Sequence, residues 1–331
     1  MKINSDPSMV RQECRAAGLN GENQQFPVII DEIQKIPALL DEIHWMIENM
    51  GLSFILCGSS ARKLRKSHAN MLGGRAIRYE LYPLLYKEIP EFDLVRALNH
   101  GLLPSHYLDE QPKRLHESYV ADYLREEILS EALTRNLQVF AKFLEAASFS
   151  NGEVLNYQNV ARDCGVSGPT VTGYFQILED TLIGHTLPSF RKRAKRRQVQ
   201  APKFYFFDLG IENYLARRGR IEPGSELFGR AFEHFIFLQL KALLRYDGSH
   251  RPLSYWRTTS GFEVDFIVGD AEIAVEVKAA REVNTNHLKG LRAFRDEQKS
   301  GRTVLVSLVE TPRKTDDGIE ILPWRHFLDS L

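Results

Sequence analysis

Hydrophobic and polar positions along this chain switch between two periods. Residues 26–30 form a short apolar run that reads as a buried strand. From Pro37 to Gly51, Leu39, Leu40, Ile43, Ile47 and Met50 recur at helical spacing until the glycine stops them. A second apolar run, residues 53–60, reads as another buried strand ending in small polar residues. A helix and a Gly-Gly turn are expected next, then a third strand over 77–84 broken by Pro83. Strands alternating with helices predict a parallel sheet with crossovers. From Tyr86 to about residue 150 the pattern is helical, most strongly over 117–148.

Further on, residues 154–188 carry two short helical patterns separated by "GVS". Val160, Ala161 and Cys164 can form the inner face of the first, and Pro169 opens the second from its first turn. This is helix-turn-helix spacing, with "TLIGHTLP" as a wing strand. A helical hairpin with no nucleic-acid role fits the same spacing. The run "FRKRAKRRQ" then gathers Arg191, Lys192, Arg193, Lys195, Arg196 and Arg197. It reads either as a solvated connector or as a phosphate-binding strip beside the helical pair. "KFYFFDLGI" (203–211) is a strand and a turn, and residues 226–244 form a helix with Glu233 among apolar neighbours.

Three short strands follow within 253–280. Phe262, Val264, Phe266 and Val268 alternate with Glu263, Asp265 and Ile267, so the two acids share a face. In the next strand Ala274, Glu276 and Lys278 point away from Ile273, Val275 and Val277. Asp265, Glu276 and Lys278 therefore converge on one face of a hairpin. Two carboxylates meeting at one point repel unless a hard cation such as Mg²⁺ sits between them. A lysine beside them can orient a water or stabilise a phosphorane-like transition state. The competing reading is a surface hairpin with a Glu–Lys pair. Near the other end, "VIIDEIQKIP" runs an apolar strand into Asp31 and Glu32, the arrangement with which P-loop NTPases hold magnesium and aim water.

Composition narrows the setting. Lysine plus arginine and aspartate plus glutamate each number 43, so nucleic-acid binding must rest on local patches rather than a global field. Three scattered cysteines, Cys14, Cys57 and Cys164, make no CxxC pair, which argues against structural zinc and for a reducing compartment. No apolar run suits a bilayer, and the first residues lack a secretory apolar core. A cytoplasmic protein without a membrane partner is expected, and an oligomer is compatible with the sequence.

"FEH", "EVDF" and "VEVK" resemble the PD-(D/E)xK nuclease fold, with Glu233, Asp265, Glu276 and Lys278 on its motif positions. "VIIDEIQKIP", "FILCGSSARKL", "LGGRA", "ELYPLLYKEI", "DYLREEIL" and "KFYFFDLGI" follow in the order of a prokaryotic family of AAA+-type ATPases. Its C-terminal half is a domain of unknown function, a winged helix joined to a PD-(D/E)xK-like module. The resemblance runs from about residue 2 to the mid-290s. It implies an α/β chain: a partial P-loop AAA+-like parallel sheet (1–88), a helical extension (89–150), a winged helix (151–190) and a nuclease-like α/β domain (191–331). It also implies that Asp31 holds the water shell of Mg²⁺ and that Glu32 polarises the attacking water. Ser59 or Ser60 would be the sensor, and Arg75 a γ-phosphate-sensing or finger arginine, unless Arg75 is a simple surface residue. Asp265 and Glu276 would bind Mg²⁺, with Glu233 and Lys278 serving the chemistry.

The family carries GxxxxGK[ST] upstream of its Walker B strand. This sequence contains no such motif, and "KINSDPSMVRQE" resembles the strand and helix that follow the P-loop. Without those backbone N–H groups and that lysine, nothing cradles the β- and γ-phosphates. The expectation is a chain cut short by a late gene start or by decay, poor in ATP hydrolysis despite the family's use of ATP. Exposed strand edges and apolar faces are expected in its N-terminal part. The functional expectation is an AAA-like, ATP-binding family protein with a DNA-binding, nuclease-like C-terminal region. Its alternatives are a metal-dependent DNA nuclease independent of ATP and a non-catalytic DNA-binding protein.

Overall fold

The computed structural model describes residues 6–58, 74–123, 137–191 and 196–331. They gather into two compact units. One runs to Glu80 and takes in Ile177–Leu182, and the other holds Leu81–Gln176 and Ile183–Leu331.

In the first unit two three-residue strands, β1 (Val28–Ile30) and β2 (Phe54–Leu56), pair in parallel, with Ile29 opposite Ile55. The helix Leu39–Met50 connects them and buries Leu39, Leu40, Ile43 and Met46. These side chains, with Cys14 of the helix Met9–Ala16, pack against Val28, Ile30, Phe54 and Leu56. Gly51 ends the longer helix at φ 66°, in the left-handed region where glycine carries no Cβ penalty. Strand geometry turns alternate residues to the opposite face, and there Ile29 and Ile55 are 67% and 47% exposed. The apolar runs read as buried strands are thus only partly buried: among the described residues of this unit, helices pack against one face of the sheet. The strand expected over 77–84 does not form. A strand's N–H and C=O groups need a neighbouring ladder, and no described strand pairs with this segment; Ile77, Tyr79 and Leu81 stand exposed. Residues 59–73, where a helix and Gly-Gly turn were expected, lie outside the described residues.

The second unit opens with short helices, Leu94–His100, Pro104–Leu108 and Pro112–Ser118, and a π-helical turn at Tyr119–Tyr123. The helix Leu137–Phe149 completes this part. Helices Tyr157–Cys164 and Gly168–Asp180, the second belonging to this unit as far as Gln176, follow with the expected turn between them. Asn156 caps the first by accepting the Asn159 N–H, and Gly165 ends it at φ 68°. Strand β3 (Gly184–Leu187) pairs antiparallel with β4 (Lys203–Phe206). The segment expected as a wing thus forms one strand of an antiparallel pair, and β3 is largely buried.

The main sheet has six strands: β5 (Leu253–Arg257), β6 (Glu263–Val268), β7 (Ile273–Lys278), β8 (Arg302–Ser307), β9 (Arg313–Lys314) and β10 (Glu320–Pro323). Their order is β5-β6-β7-β8-β10-β9. The β5–β6–β7 and β10–β9 pairs are antiparallel, while β8 runs parallel to both β7 and β10. Phe232, Phe235 and Ile236 of the helix Glu226–Tyr246 share one core with Phe266, Val275, Val277 and Val304. Leu291 and Phe294 of the helix Lys289–Arg295 share the other with Val264, Ile267, Ala274 and Leu305.

Strict alternation fails in β6. Ser254 pairs with Ile267 but Trp256 pairs with Val264, so the one β5 residue between them, Tyr255, faces two of β6, Asp265 and Phe266. The resulting bulge sends Val264 and Phe266 into different cores, although period-2 reading places them together. Asp265 sits within this irregularity, the kind of feature that re-aims a side chain.

Candidate functional site

The last ladder pair between β6 and β7 is Phe266 with Val275. Beyond it β6 stays with β5, while β7 stays with β8 through Glu276–Leu305 and Lys278–Ser307. The Val277 N–H, left without a β6 carbonyl, donates to Asp265 Oδ2 at 2.8 Å. This tie fixes the carboxylate in the notch where the strands part. Glu276 and Lys278, two residues apart on β7, share the face opposite Val275 and Val277. Lys278 Nζ lies 2.5 Å from Glu276 Oε1 and 4.0 Å from Asp265 Oδ2. A Cβ on Gly290 would sit 1.9 Å from the Glu263 carbonyl oxygen and 3.4 Å from Glu276 Oε2. Only glycine lets that helix approach so closely.

Glu233 arrives from the long helix and is held from β4. Lys203 Nζ lies 3.2 Å from Glu233 Oε1 and 2.7 Å from Glu263 Oε1. The Tyr205 hydroxyl donates to the same Glu233 oxygen at 2.7 Å. Arg257, half exposed, stands 3.5 Å from Glu263 Oε2. The sequence-predicted Glu233, Asp265, Glu276 and Lys278 thus belong to one cluster, joined by Lys203, Tyr205 and Glu263. The signal for Lys203 and Tyr205 was their i, i+2 spacing in an otherwise aromatic strand. For Glu263 it was the same spacing to Asp265.

Four carboxylates (Glu233, Glu263, Asp265, Glu276) face two lysines (Lys203, Lys278) and, at the rim, Arg257, an excess of one negative charge when all are ionised. Lys203, Asp265 and Glu276 are almost wholly buried, so that excess is poorly screened. Burial, and then the Glu233 charge, push the Asp265 carboxyl up to about 6. Burial and then Asp265 raise Glu276 well above the usual carboxylate range. Glu233 moves the other way: burial pulls it up, but Lys203 and the Tyr205 hydrogen bond outweigh burial and hold it low. For Lys278 burial favours the neutral amine, yet Asp265 and Glu276 override it and raise its pKa. The acid that owns a cation stays ionised, and the two that share Lys278 compete for protons. Oε2 of Glu276 is buried with no hydrogen-bond partner among the described residues.

No group of three or more His, Cys, Asp or Glu side chains among the described residues is placed to hold a metal. Asp265 and Glu276 nevertheless fit a hard divalent cation completed by water, since they offer paired carboxylates, an unpartnered buried oxygen and uncompensated negative charge. His234, next to Glu233, has another task. It is fully buried and bridges the Asn151 side chain, at 3.1 Å, and the Phe206 carbonyl, at 2.7 Å. Asp208 of "FFDLG" is likewise structural, accepting backbone N–H groups from Leu102, Leu103 and Ile211.

In the first unit the acids after β1 are differently placed. Asp31 is exposed, and its Oδ1 accepts the Glu32 N–H at 2.9 Å. Glu32 adopts φ 54°, in the left-handed region, and its Oε2 accepts from Gln34 at 2.9 Å and lies 3.3 Å from Lys35 Nζ. Arg75 pairs with Glu48. Ser59 and Ser60 lie outside the described residues, as do Lys192, Arg193 and Lys195 of the basic run.

Of that run, Arg191 and Arg197 are exposed. Arg196 is committed to protein: its guanidinium reaches Glu297 Oε1 at 2.9 Å and the Ala293 carbonyl at 3.1 Å, and it lies over the Phe262 ring. Glu297 has a fully buried side chain. The helix Gly168–Asp180 turns Pro169, Thr172, Gly173 and Gln176 outward and contains no lysine or arginine. Its surface therefore lacks the cations on which phosphate contacts depend.

Three family models match successive parts of the chain. Residues 3–90 match the AAA domain family, residues 91–222 a domain of unknown function (DUF8612) and residues 228–327 a second one (DUF4143). These matches support an AAA-like ATPase family with a C-terminal domain of unknown function. An uncharacterised protein of Mycobacterium tuberculosis is 26% identical over 253 residues, covering 73% of this chain and 55% of the relative. One from Haemophilus influenzae is 22% identical over 317 residues, covering 89% and 75%. One from Methanocaldococcus jannaschii is 21% identical over 302 residues, covering 81% and 64%. The chain spans about half the length of the mycobacterial relative. No solved structure matches it. Among the described residues no helix is long and apolar enough to cross a membrane.

Proposed function

We propose that the C-terminal region of this AAA-like protein is a PD-(D/E)xK-type nuclease module that cleaves DNA phosphodiesters with one divalent cation. The observation that carries the reading is the buried meeting of Asp265, Glu276 and Lys278 where β6 and β7 part, with negative charge left over. Asp265 and Glu276 would hold Mg²⁺ or Mn²⁺. When bound, such an ion polarises a phosphoryl oxygen and lowers the pKa of a water. Lys278, anchored on Glu276, is near enough to the same point to orient that water and to offset charge gathering on the phosphate. The Val277 N–H fixes the direction of the Asp265 carboxylate, so the geometry is set before substrate arrives.

The AAA-like region is proposed to bind Mg-ATP weakly in this chain. The sequence holds no GxxxxGK[ST] loop, and the Glu32 carboxylate is engaged by Gln34 and Lys35. DNA binding is assigned to the nuclease-like module and the exposed Arg191 and Arg197 rather than to the helix Gly168–Asp180. Incubating the purified chain with supercoiled plasmid and Mg²⁺ or Mn²⁺ tests the central claim. Nicking that disappears in EDTA and in Asp265→Ala and Glu276→Gln supports it. No nicking by the parent with either ion, or nicking that survives both substitutions, overturns it.

A further inference from the structure

We infer that Lys203 is an internal cation that fills the second positive position of this carboxylate cluster and so restricts it to a single divalent ion. The inference rests on the metal-binding reading just given and concerns the part of the cluster away from Lys278.

The acids divide by partner. Glu276 and Asp265 have Lys278, at 2.5 and 4.0 Å. Glu233 and Glu263 share Lys203, which lies 3.2 Å from one and 2.7 Å from the other through their Oε1 atoms, and Glu263 Oε2 also has Arg257 at 3.5 Å. The side chain of Lys203 is almost completely shielded from water, whereas those of Glu233 and Glu263 are partly exposed. A buried ammonium between two oxygens on separate elements, helix Glu226–Tyr246 and β6, stands where a bridging cation would stand. Oxygen ligation at that point is what Mg²⁺ and Mn²⁺ require in a two-ion phosphodiesterase centre.

Lysine differs from a metal ion there in two ways. It is tethered, so it cannot be removed by chelation or displaced by substrate, and it has no open coordination position. Tyr205 reinforces the arrangement by donating to the Glu233 oxygen that Lys203 approaches. That oxygen is then satisfied, and Glu233 is left to position rather than to ligate. Lys203 is accordingly a positioning residue: it holds Glu233 and Glu263 apart from the ion and sets the number of ions at one.

The test counts ions. Mn²⁺ alone is titrated into the metal-free full chain, with bound ion followed by electron paramagnetic resonance and thermal melting measured alongside. The parent is expected to bind one Mn²⁺. Lys203→Met should bind two, melt below the parent without metal, and gain more melting temperature from Mn²⁺ than the parent does. Lys203→Met binding one ion with the parent's thermal gain overturns the inference while leaving the metal-binding reading intact. A parent that binds none beside a Lys203→Met variant that binds one removes the metal assignment of Asp265 and Glu276 but retains Lys203 as the cation substitute. No binding by either removes both. If Lys203→Met does not fold without metal, Glu263→Gln replaces it. Relieving Lys203 of one acid should keep the count at one, and a count of two would contradict the inference.

Discussion

Two regions of this chain carry acids in or just after a β-strand, and they differ in what the sheet provides. After β1, Asp31 and Glu32 follow a three-residue strand in a two-stranded sheet. Asp31 faces solvent, and Ile29 and Ile55 are exposed. At the parting of β6 and β7, Asp265 and Glu276 lie within a six-stranded sheet with a hydrophobic core on each side. The motif letters are comparably suggestive in both places. Only the second site is desolvated, and desolvation turns neighbouring carboxylates into a demand for a cation. A pair of acids is informative in proportion to the structure that buries it.

The contrast is open to attack from its largest consequence downwards. Asp265→Ala should remove Mg²⁺-dependent nicking, a loss of roughly a thousandfold or more if the ion supplies the nucleophile. Asp31→Ala and Glu32→Ala should leave nicking unchanged. Equal losses from both sites would show that the two regions act as one centre.

Ion pairs should follow burial in the same way. Arg218→Ala strands Glu212, a nearly fully buried carboxylate, and should cost about 3–5 kcal/mol in urea unfolding. Burial already lifts Glu212 to about 7 despite its arginine. Arg75→Ala breaks a half-exposed pair with Glu48 and should cost about 0–1 kcal/mol. Comparable costs would remove the distinction.

A smaller effect concerns pH. The Asp265 carboxyl is raised in the folded chain, so between its ordinary value of 3.8 and about 6 the folded protein holds more protons than the unfolded one. Its contribution to stability therefore falls as pH rises through that window and stays lowered above it. His234 acts oppositely. Its folded value is pushed down to about 4, chiefly by burial, so the stability it contributes is lost as pH falls from 6.5 towards 4. The difference between parent and Asp265→Asn cancels the histidine. In EDTA the variant should be the more stable of the two at pH 8, with the gain shrinking towards pH 4. A variant less stable at pH 8 would mean that the Lys278 attraction outweighs burial.

The smallest effect belongs to the open sheet face. Ile55→Thr should change unfolding free energy by no more than about 0.5 kcal/mol, as surface positions do, while reducing self-association in sedimentation. A large destabilisation would mean that the face is covered in solution.

Much was legible in the sequence. The 3.6-residue period marked the helices around Leu39–Met50 and Glu226–Tyr246, and Gly51 and Gly165 marked helix ends, because amphipathic burial and positive φ are local requirements. Period-2 geometry put Asp265, Glu276 and Lys278 on one face, without the bulge in β6 within which Asp265 sits. What failed did so for want of neighbours. Residues 77–84 have strand-like letters but no described strand pairs with them.

Asp265 marks the boundary most clearly. Its sequence neighbours announced a carboxylate on a strand, but strict alternation misplaced Val264 and Phe266, because a bulge is set by how β5 and β6 register against each other. Lys203 and Glu233, thirty residues apart, meet only after β4 and the long helix pack together. The sequence by itself determined which segments bury an apolar face and which side chains carry charge, since both depend on residues close along the chain. The tertiary structure alone decided which charges share a dielectric environment, because desolvation and Coulomb energy depend on distances in space.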